Sequence, residues 1–272
     1  MKRNILIIAT AIISLALNAC TIHVDGDSFG SETIKGNGDL VSRNFDVNAY
    51  DDLSVVLPAT VNFTVAEEYT CSVRVDENIM DYLDIKVDGN ELILKKQEKH
   101  KNVNLRATSF VIDITAPSLA NINLAGSGTV NVLSPIEREQ MEVNVAGSGD
   151  IVFDQAVTLQ KIELNVAGSG DLVLNELVAD KLNANVAGSG DMKVAHGTVR
   201  EANASVAGSG DIVLTCDIES LEADIAGSGD IKARVNGTLK YGIIGSGDIS
   251  YYGNPVVNGE KVGRGQVNRL AE

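Results

Sequence analysis

The sequence is poor in the residue types that most often build catalytic or ligand-stacking sites. It has no Trp, 4% aromatic residues, 3 His and 3 Cys among 272 residues. His23, His100 and His196 share no metal-ligand spacing with a Cys or with each other, which argues against a zinc site. The shortage of aromatic side chains argues against a stacking platform for sugars. We therefore expect a protein that is not an enzyme and that needs no cofactor for catalysis.

Basic residues are also scarce. Lys and Arg number 22 against 37 Asp and Glu, which gives a formal charge of −15. A chain this acidic repels nucleic acid and anionic lipid headgroups and stays soluble, so we expect no nucleic-acid partner. The one basic run, residues 95–101, is predicted to be a solvated loop, with a binding patch as the alternative.

An apolar segment long enough to cross a bilayer is missing as well. Two basic residues precede an apolar run at Ile5–Leu17, which is too short to span, so a retained membrane helix is the weaker alternative. This pattern predicts a signal peptide over residues 1–19. The segment that ends it, Leu-Asn-Ala-Cys at Leu17–Cys20, resembles a bacterial lipobox, in which Cys20 is lipidated and becomes the mature N-terminus.

The lipobox resemblance implies where the protein resides. Several acyl chains on Cys20 would anchor the chain durably to a membrane, since one chain alone binds only marginally. We expect a lipoprotein of the cell envelope, in the outer membrane, with its periplasmic or outer side left open. Loss of residues 1–19 would change the formal charge from −15 to −17.

Glycine is abundant, and it organises the chain. A Gly-Ser-Gly-Asp motif recurs, preceded by Gly126-Ser127-Gly128-Thr129 and followed by a degenerate copy at Gly263-Arg264-Gly265-Gln266. The steps between successive first glycines are 21, 21, 20, 20, 19, 18 and 18 residues, a period typical of a solenoid. The glycines of the six complete motifs are Gly147 and Gly149, Gly168 and Gly170, Gly188 and Gly190, Gly208 and Gly210, Gly227 and Gly229, and Gly245 and Gly247.

The residues around each motif alternate as strands do. Two and four positions before each first glycine stand mostly apolar residues, and three positions before it stands a polar one, four times Asn. A second alternating run leaves the motif and a third, weaker run follows. Three short strands per repeat predict an all-β fold, a single-stranded parallel β-helix of right-handed sense with coils of 18–21 residues. The shrinking step implies that the coils narrow towards the C-terminus, and the Asn column is predicted to form amide ladders.

The glycines are interpreted as structural turns. Glycine reaches positive φ without steric cost, and its small size lets the backbone of one coil sit close on the next. Residues 121–272 are then the glycine-cornered repeats with a C-terminal cap, where Pro255 and Arg264 are expected to discourage edge-to-edge pairing. Residues 45–120 are predicted to be an N-terminal β-rich cap or irregular coils. Residues 20–44 are predicted to be the lipidated Cys and a flexible tether, in which Gly36-Asn37-Gly38-Asp39 is a chance echo of the motif or a turn.

The last residue of the motif forms a column of carboxylates. At a spacing of ~5 Å two of them repel by ~0.8 kcal/mol in water and by ~3 kcal/mol at an effective dielectric of about 20, so something must relieve the column. The structural solution is that each Asp accepts hydrogen bonds from turn N–H groups and stays solvated. The alternative is Ca²⁺ bound between successive carboxylates. The residues concerned are Asp150, Asp171, Asp191, Asp211, Asp230 and Asp248.

Two cysteines remain beside Cys20. Cys216 belongs to the fifth coil and Cys71 precedes the array, so in a stack with ~4.8 Å per coil they would lie ~20 Å or more apart. A disulfide cannot bridge that distance. We expect two unpaired, buried thiols.

The glycine coils occur together with a Leu53-Ser54-Val55 lead-in, an Ala116-Pro117-Ser118-Leu119 step and a Tyr252-Gly253-Asn254-Pro255 end. In this combination, over about residues 45–256, the chain resembles the auto-transporter adhesin, head GIN domain family of bacterial surface lipoproteins. The resemblance implies a parallel β-helix and an adhesin-like role, and it brings no catalytic residues.

Three functions from different classes follow. The first is a lipid-anchored, non-catalytic adhesin-like binding module whose extended β-helical surface recognises an unknown protein or glycan. The second is a β-helical polysaccharide-active enzyme, for which the outward Lys193 and Lys232 are the only hint. The third is a purely structural component of the envelope. The sequence does not specify the oligomeric state.

Overall fold

The structure, a computed structural model, describes residues 32–271, which form a parallel β-solenoid of about seven turns. The predicted signal peptide, Cys20 and the first part of the predicted tether lie outside the described residues. No helix among the described residues is long and apolar enough to cross a membrane.

Almost all regular structure is strand. One short helix, α1 (Glu77–Met80), and a 3-10 turn at Glu98–His100 are the described exceptions. The strands are β1 (Thr33–Lys35), β2 (Leu40–Phe45), β3 (Asp52–Val55), β4 (Thr60–Val65), β5 (Thr70–Asp76), β6 (Leu83–Asp88), β7 (Glu91–Lys96), β8 (Asn104–Arg106), β9 (Phe110–Ala116), β10 (Asn121–Gly126), β11 (Thr129–Val132), β12 (Ile136–Glu137), β13 (Gln140–Gly147), β14 (Asp150–Gly168), β15 (Leu172–Gly188), β16 (Met192–Gly208), β17 (Ile212–Gly227), β18 (Ile231–Gly245), β19 (Ile249–Tyr252), β20 (Val256–Gly263) and β21 (Val267–Arg269).

The repeats stack in register, so that each glycine corner lies directly on the preceding one. Gly147 pairs with Gly126 on one side and with Gly168 on the other, and the pairing continues coil by coil to Gly263. The strands that enter the corners form one face, which begins with β10 and β13 and ends with β20. The strands that leave the corners form a second face, which runs from β11 to β19 and β21. The predicted parallel β-helix is confirmed.

The interior is filled by the apolar columns that the alternation places there. One column runs from Leu164 through Ala184, Ala204 and Ala223, all fully buried, and the smaller side chain fits a coil that contains fewer residues. Residues are lost where the register shifts on the side away from the glycine corners, for example between Phe153 and Ala156. The corners therefore keep their register while the coil shortens.

The N-terminal region combines a coil with a covering layer. β3 and β4 form a coil without glycine, paired in parallel with β10 and β11 on one side and with β7 and β9 on the other. The antiparallel pairs β5–β9, β2–β5 and β6–β7 complete the cover. Residues 66–116 are thus an insertion that leaves the first coil, closes its outer end and returns on the opposite side.

The described end of the predicted tether is ordered, which differs from the expectation. β2 pairs antiparallel with β5, and β1 pairs with β8. The turn at residues 36–39 closes over Asp76, whose Oδ1 accepts the Gly38 N–H at 2.8 Å while Oδ2 accepts the Thr108 N–H at 2.7 Å. A Cβ on Gly36 would lie 2.3 Å from this carboxylate, so glycine is required there. The tether prediction was wrong for these residues because a carboxylate far along the chain supplies their partner.

Asp76 is the buried charged side chain of the described fold. Burial opposes its ionisation, but the hydrogen bonds from the Thr108 and Gly38 backbone outweigh that effect and hold the pKa of Asp76 below its usual value. The carboxylate therefore stays charged and joins three separate segments.

The basic run ends in an ordered turn whose residues Glu98, Lys99 and Lys101 are exposed to solvent. Lys96 Nζ donates to the Lys101 carbonyl at 2.8 Å and to the Val103 carbonyl at 2.7 Å, and partial burial lowers the pKa of Lys96. Lys101 also forms an ion pair with Glu98 at 3.2 Å. The Lys96 ammonium therefore stabilises the turn by binding two backbone carbonyls.

The remaining thiols behave as expected. Cys71 and Cys216 are both buried and unpaired. Burial raises the pKa of each to about 12, so both are inert thiols at neutral pH.

Candidate binding faces

The strands that enter the corners present a polar outer surface, which we call the amide face. It is regular because its residues are held in register over successive coils, at the ~4.8 Å spacing of neighbouring strands. The amide face comprises Asn123, Asn144, Asn165 and Asn185 in one column and Glu142, Glu163, Asn183 and Asn203 in the next.

The predicted amide ladder is present. Asn144 Nδ2 donates to Asn123 Oδ1 at 2.9 Å, Asn165 donates to Asn144 at 2.9 Å, and Asn185 donates to Asn165 at 3.0 Å. Asn144 Nδ2 also donates to Glu142 Oε1 at 3.0 Å, which ties the two columns together. The face is therefore rigid before any ligand binds, which lowers the entropy cost of recognition.

The ladder ends in a half-buried carboxylate. After Ser205 the column continues with Asp224 and then Gly242, where a Cβ would lie 2.4 Å from Asp224 Oδ1. Burial, together with the nearby Glu222 carboxylate, raises the pKa of Asp224 to about 6. This end of the face changes charge within the range of mildly acidic pH.

A groove of about 690 Å³ opens at the other end of the amide face, where the insertion returns to the array. We call it the junction groove. Arg138 is fixed in it, since Nη1 donates to Ser118 Oγ at 2.8 Å and lies 3.7 Å from Asp51 Oδ1. The junction groove is lined by Asp51, Ser118, Asn121, Arg138, Gln140, Glu142, Lys161 and Glu163, among others. Because Glu142 and Glu163 belong to both, the groove and the amide face form one continuous polar surface.

The carboxylate column lies along the corners and is tied to the backbone. The Asp171 N–H donates to Asp150 Oδ1 at 3.0 Å, and the same bond joins each later Asp to the one before it, at 2.7–2.9 Å. Gln266 N–H closes the column on Asp248 Oδ1 at 2.7 Å. This is the geometry of the structural solution, in which turn N–H groups offset the repulsion. The described residues contain no group of three or more His, Cys, Asp or Glu placed so that it could hold a metal ion, and the calcium column stays a prediction.

The two glycines of a corner are needed for different reasons. Gly168 has φ of +130°, as the first glycine of each motif has a positive φ, and a Cβ there would also meet the Gly147 carbonyl oxygen at 2.2 Å. Gly170 has no such φ, but a Cβ on it would lie 2.0 Å from the Gly149 carbonyl oxygen. The first position therefore requires glycine both for its positive φ and because a Cβ would clash with the preceding coil. The second position requires glycine only because a Cβ would clash.

Sequence reasoning missed a second polar ladder, which joins the array to the insertion. Asn131 Nδ2 donates to Asn62 Oδ1 at 3.0 Å, and Asn62 Nδ2 donates to Asp113 Oδ1 at 2.9 Å. The available signal was that Asn62 and Asn131 each stand between apolar residues, as the repeat asparagines do. The junction groove gave no signal, since it depends on where the insertion ends.

Lys193 and Lys232, the residues that suggested an enzyme, lie apart from the junction groove. The Lys232 ammonium lies 5.3 Å from the ring centre of Tyr252, a cation–π contact that supports the last coils. Lys193 is an exposed member of the same outward column. Neither residue lines the junction groove.

Known proteins share both the sequence pattern and the fold. Residues 49–159 and 151–255 each match the family model described as "Putative auto-transporter adhesin, head GIN domain". Among solved structures, a "Putative lipid binding protein" from Parabacteroides distasonis is 33% identical with a TM-score of 0.85, over 88% of this chain and 100% of that one. A "putative adhesin" from the same organism is 27% identical with a TM-score of 0.80, over 88% and 100% of the two chains. One from Parabacteroides merdae, 24% identical with a TM-score of 0.80 over 89% and 100%, shares the fold. No functionally curated protein is detectably similar in sequence.

Proposed function

The chain belongs to the auto-transporter adhesin, head GIN domain family, and on that basis we propose that it is a lipid-anchored, adhesin-like binding module of the cell envelope. The family supports a non-catalytic role at the envelope or cell surface. The proposed anchor is Cys20, which the Leu-Asn-Ala-Cys segment at Leu17–Cys20 supports, and the proposed membrane is the outer membrane.

The observation that carries the binding role is the continuity of the amide face with the junction groove. Asn144 and Asn165 hold each other in place, and Glu142 and Glu163 extend the same surface into the groove. A polar surface that is already ordered loses little freedom on binding. An elongated, regularly spaced array of donors and acceptors suits an elongated polar partner better than a small molecule.

The partner binds on the outside of the solenoid. Phe153, Leu164 and Leu174 are fully buried in the interior of the coils, which favours an external site over an internal one for an acyl chain of the kind that the name of the Parabacteroides distasonis relative suggests. The amide face consists of amides and carboxylates, which bind hydroxyl, amide and ammonium groups. The ligand is accordingly a glycan or a protein with a polar surface.

The anchor is tested in cells that express the full chain. A clickable fatty-acid analogue should label the wild type, and Cys20→Ala should abolish labelling and release the chain from the membrane fraction. Because Cys71 and Cys216 are buried, they should not contribute to the label. A Cys20→Ala variant that remains labelled would show that the anchor is elsewhere.

The binding face is tested by adhesion of the expressing cells and by arrays of glycans and surface proteins. Glu142→Lys combined with Glu163→Lys reverses charge in the junction groove and should lower binding about tenfold or more. Glu219→Lys, on an exposed part of β17 away from the amide face, is the matched control and should bind as the wild type does. Equal losses in both variants would refute the assignment to this face.

The same cells separate the alternatives. Deletion that weakens the envelope and leaves adhesion intact would favour a structural component. Turnover of an acidic polysaccharide that depends on Lys193 or Lys232 would favour the enzyme.

A further inference from the structure

The terminal strand of the entering face has a free edge. β20 pairs in parallel with β18, and in residues 32–271 this is its one strand partner. The strand has eight residues, and its outward positions Asn258 and Glu260 are exposed. Free edges of this length pair readily with another strand unless something blocks them.

The same strand carries the most exposed large apolar side chains described. Val256 is 63% exposed and Val262 is 67% exposed, and Ile244, which is 42% exposed, is the register neighbour of Val262 on β18. Single exposed apolar residues are ordinary, but Val262 and Ile244 lie side by side next to a free strand edge and Val256 stands at the other end of the same strand, a placement that favours an interaction surface.

The order of residues along β20 identifies the occupant. We propose that β20 pairs antiparallel with β20 of a second copy of this chain, centred on Gly259, so that the two solenoids join end to end about a twofold axis. In that register Val256 lies opposite Val262 of the partner subunit, and Asn258 lies opposite the partner's Glu260. An isologous interface requires a self-complementary surface, and about Gly259 the strand places a valine opposite a valine and an amide opposite a carboxylate.

The two sides of the strand fit this register separately. Outward residues of one copy meet outward residues of the other, because rotation about a twofold axis normal to the sheet does not exchange the outward and inward faces of the sheet. On the inward side Val257, which packs on the core, lies opposite the partner's Lys261, whose aliphatic stem can cover it. At the centre Gly259 is obligatory, since a Cβ there would lie 2.2 Å from the Tyr241 carbonyl oxygen.

This end differs in charge from the rest of the chain. The chain carries a formal charge of −15, whereas residues 256–271 hold three basic residues, Lys261, Arg264 and Arg269, against one acidic residue, Glu260. Both copies present the same excess of positive charge, so the pairing depends on backbone hydrogen bonds and apolar contacts rather than on charge. The features expected to discourage pairing do not interrupt the edge, because Pro255 precedes β20 and Arg264 follows it.

The pairing makes a new surface. Because β20 is the last strand of the entering face, joining two copies there extends that face across the interface and places two junction grooves at its opposite ends. Two sites on one rigid body bind a repetitive partner with higher avidity than one site does. The pairing of β20 with β20 does not depend on the proposed function, whereas the gain in avidity rests on it.

The register is tested by disulfide trapping in cells that express the full chain. Asn258→Cys and Glu260→Cys are exposed substitutions that face each other only between two copies, and the native Cys71 and Cys216 are buried. A covalent dimer on a non-reducing gel is expected when both variants are co-expressed, with little dimer from either variant alone. Absence of the dimer, equal yields from each variant alone, or an adduct with a different protein would overturn the proposal.

The apolar contact is tested by the mass of the full chain in detergent, measured by light scattering. The wild type should be a dimer, and Val262→Lys should weaken dimerisation by about tenfold or more. Val178→Lys, at an exposed valine on β15, is the matched control and should leave the dimer unchanged. A monomeric wild type, or a Val262→Lys variant that dimerises as the wild type does, would overturn the proposal, and unfolding curves establish that each variant is folded.

Discussion

The Asp171 backbone N–H donates to Oδ1 of Asp150 at 3.0 Å, so a carboxylate of one coil orders the corner of the next. The bond recurs at every later Asp of the column and makes each corner depend on its neighbour. Carboxylates that would repel one another are thereby turned into a line of charge-assisted hydrogen bonds.

Asp191→Ala should lower the free energy of unfolding by about 1 kcal/mol, because the Asp211 N–H loses its acceptor at 2.9 Å. Asp191→Asn is the control, since its side-chain oxygen still accepts that bond and the substitution removes one charge from the column. It should be at least as stable as the wild type, with the difference shrinking at high salt. Denaturant unfolding at low and high salt measures both, and an Asn variant as unstable as the Ala variant would contradict this account.

Calcium should leave the melting temperature unchanged. Each carboxylate of the column already has a hydrogen bond from the next coil, and the described residues show no cluster of three ligating side chains. Melting curves in millimolar calcium and in excess chelator check this. A melting temperature several degrees higher in calcium would instead show tight binding to the folded column.

Three glycine substitutions should separate dihedral strain from steric conflict. Gly126→Ala places a Cβ where nothing lies within 4 Å, at φ of +113°, and should cost about 1–3 kcal/mol from strain alone. Gly168→Ala adds a clash with the backbone of the preceding coil to the same strain and should cost distinctly more. Gly170→Ala has the clash without the strain. Thermal unfolding ranks the three, and equal costs for Gly126→Ala and Gly168→Ala would show that the coils can move apart freely.

Asp224 should make stability depend on pH. Its folded-state pKa of about 6 is above the ordinary 3.8, so its favourable contribution is complete below pH 4 and is lost as the pH rises through 6. Asp224→Asn removes the buried charge and should raise stability at pH 7 by about 1–2 kcal/mol, with solvent screening of this half-buried group taken into account.

Unfolding of the wild type and the Asp224→Asn variant between pH 4 and pH 8 gives the difference. The two curves should meet near pH 4 and separate as the pH rises. A constant separation across that range would mean that the side chain contributes through packing rather than through its charge.

The structure of the repeats was predictable because each coil has the same alternation of apolar and polar residues around its glycine motif. Alternation around each glycine motif sets which residues face inward, and the Asn column sets the ladder, as Asn144 and Asn165 show. For the carboxylate column, the sequence left two explanations open, hydrogen bonds from turn N–H groups or bound Ca²⁺. Choosing between them requires the direction of the backbone N–H groups. That direction is set by the backbone geometry of the corner and cannot be read from the residue types.

The insertion was not predictable in the same way, because its contacts join residues far apart without a repeat. Asp76 meets Gly38 and Thr108, and neither partner carries a signal in the sequence. The junction groove depends on Arg138 reaching Ser118 and Asp51 from another coil. Pro255 falls just before β20, so the expectation that it discourages edge-to-edge pairing stays a prediction.

The placement of β3 and β4 has a consequence for how the molecule assembles. This coil comes first in the sequence, yet it has later parts of the chain on both sides, with β7 and β9 beneath it and β10 and β11 above it. The coils on its two sides therefore extend in opposite directions, and its pairings on both sides are complete only when residues up to 132 are available.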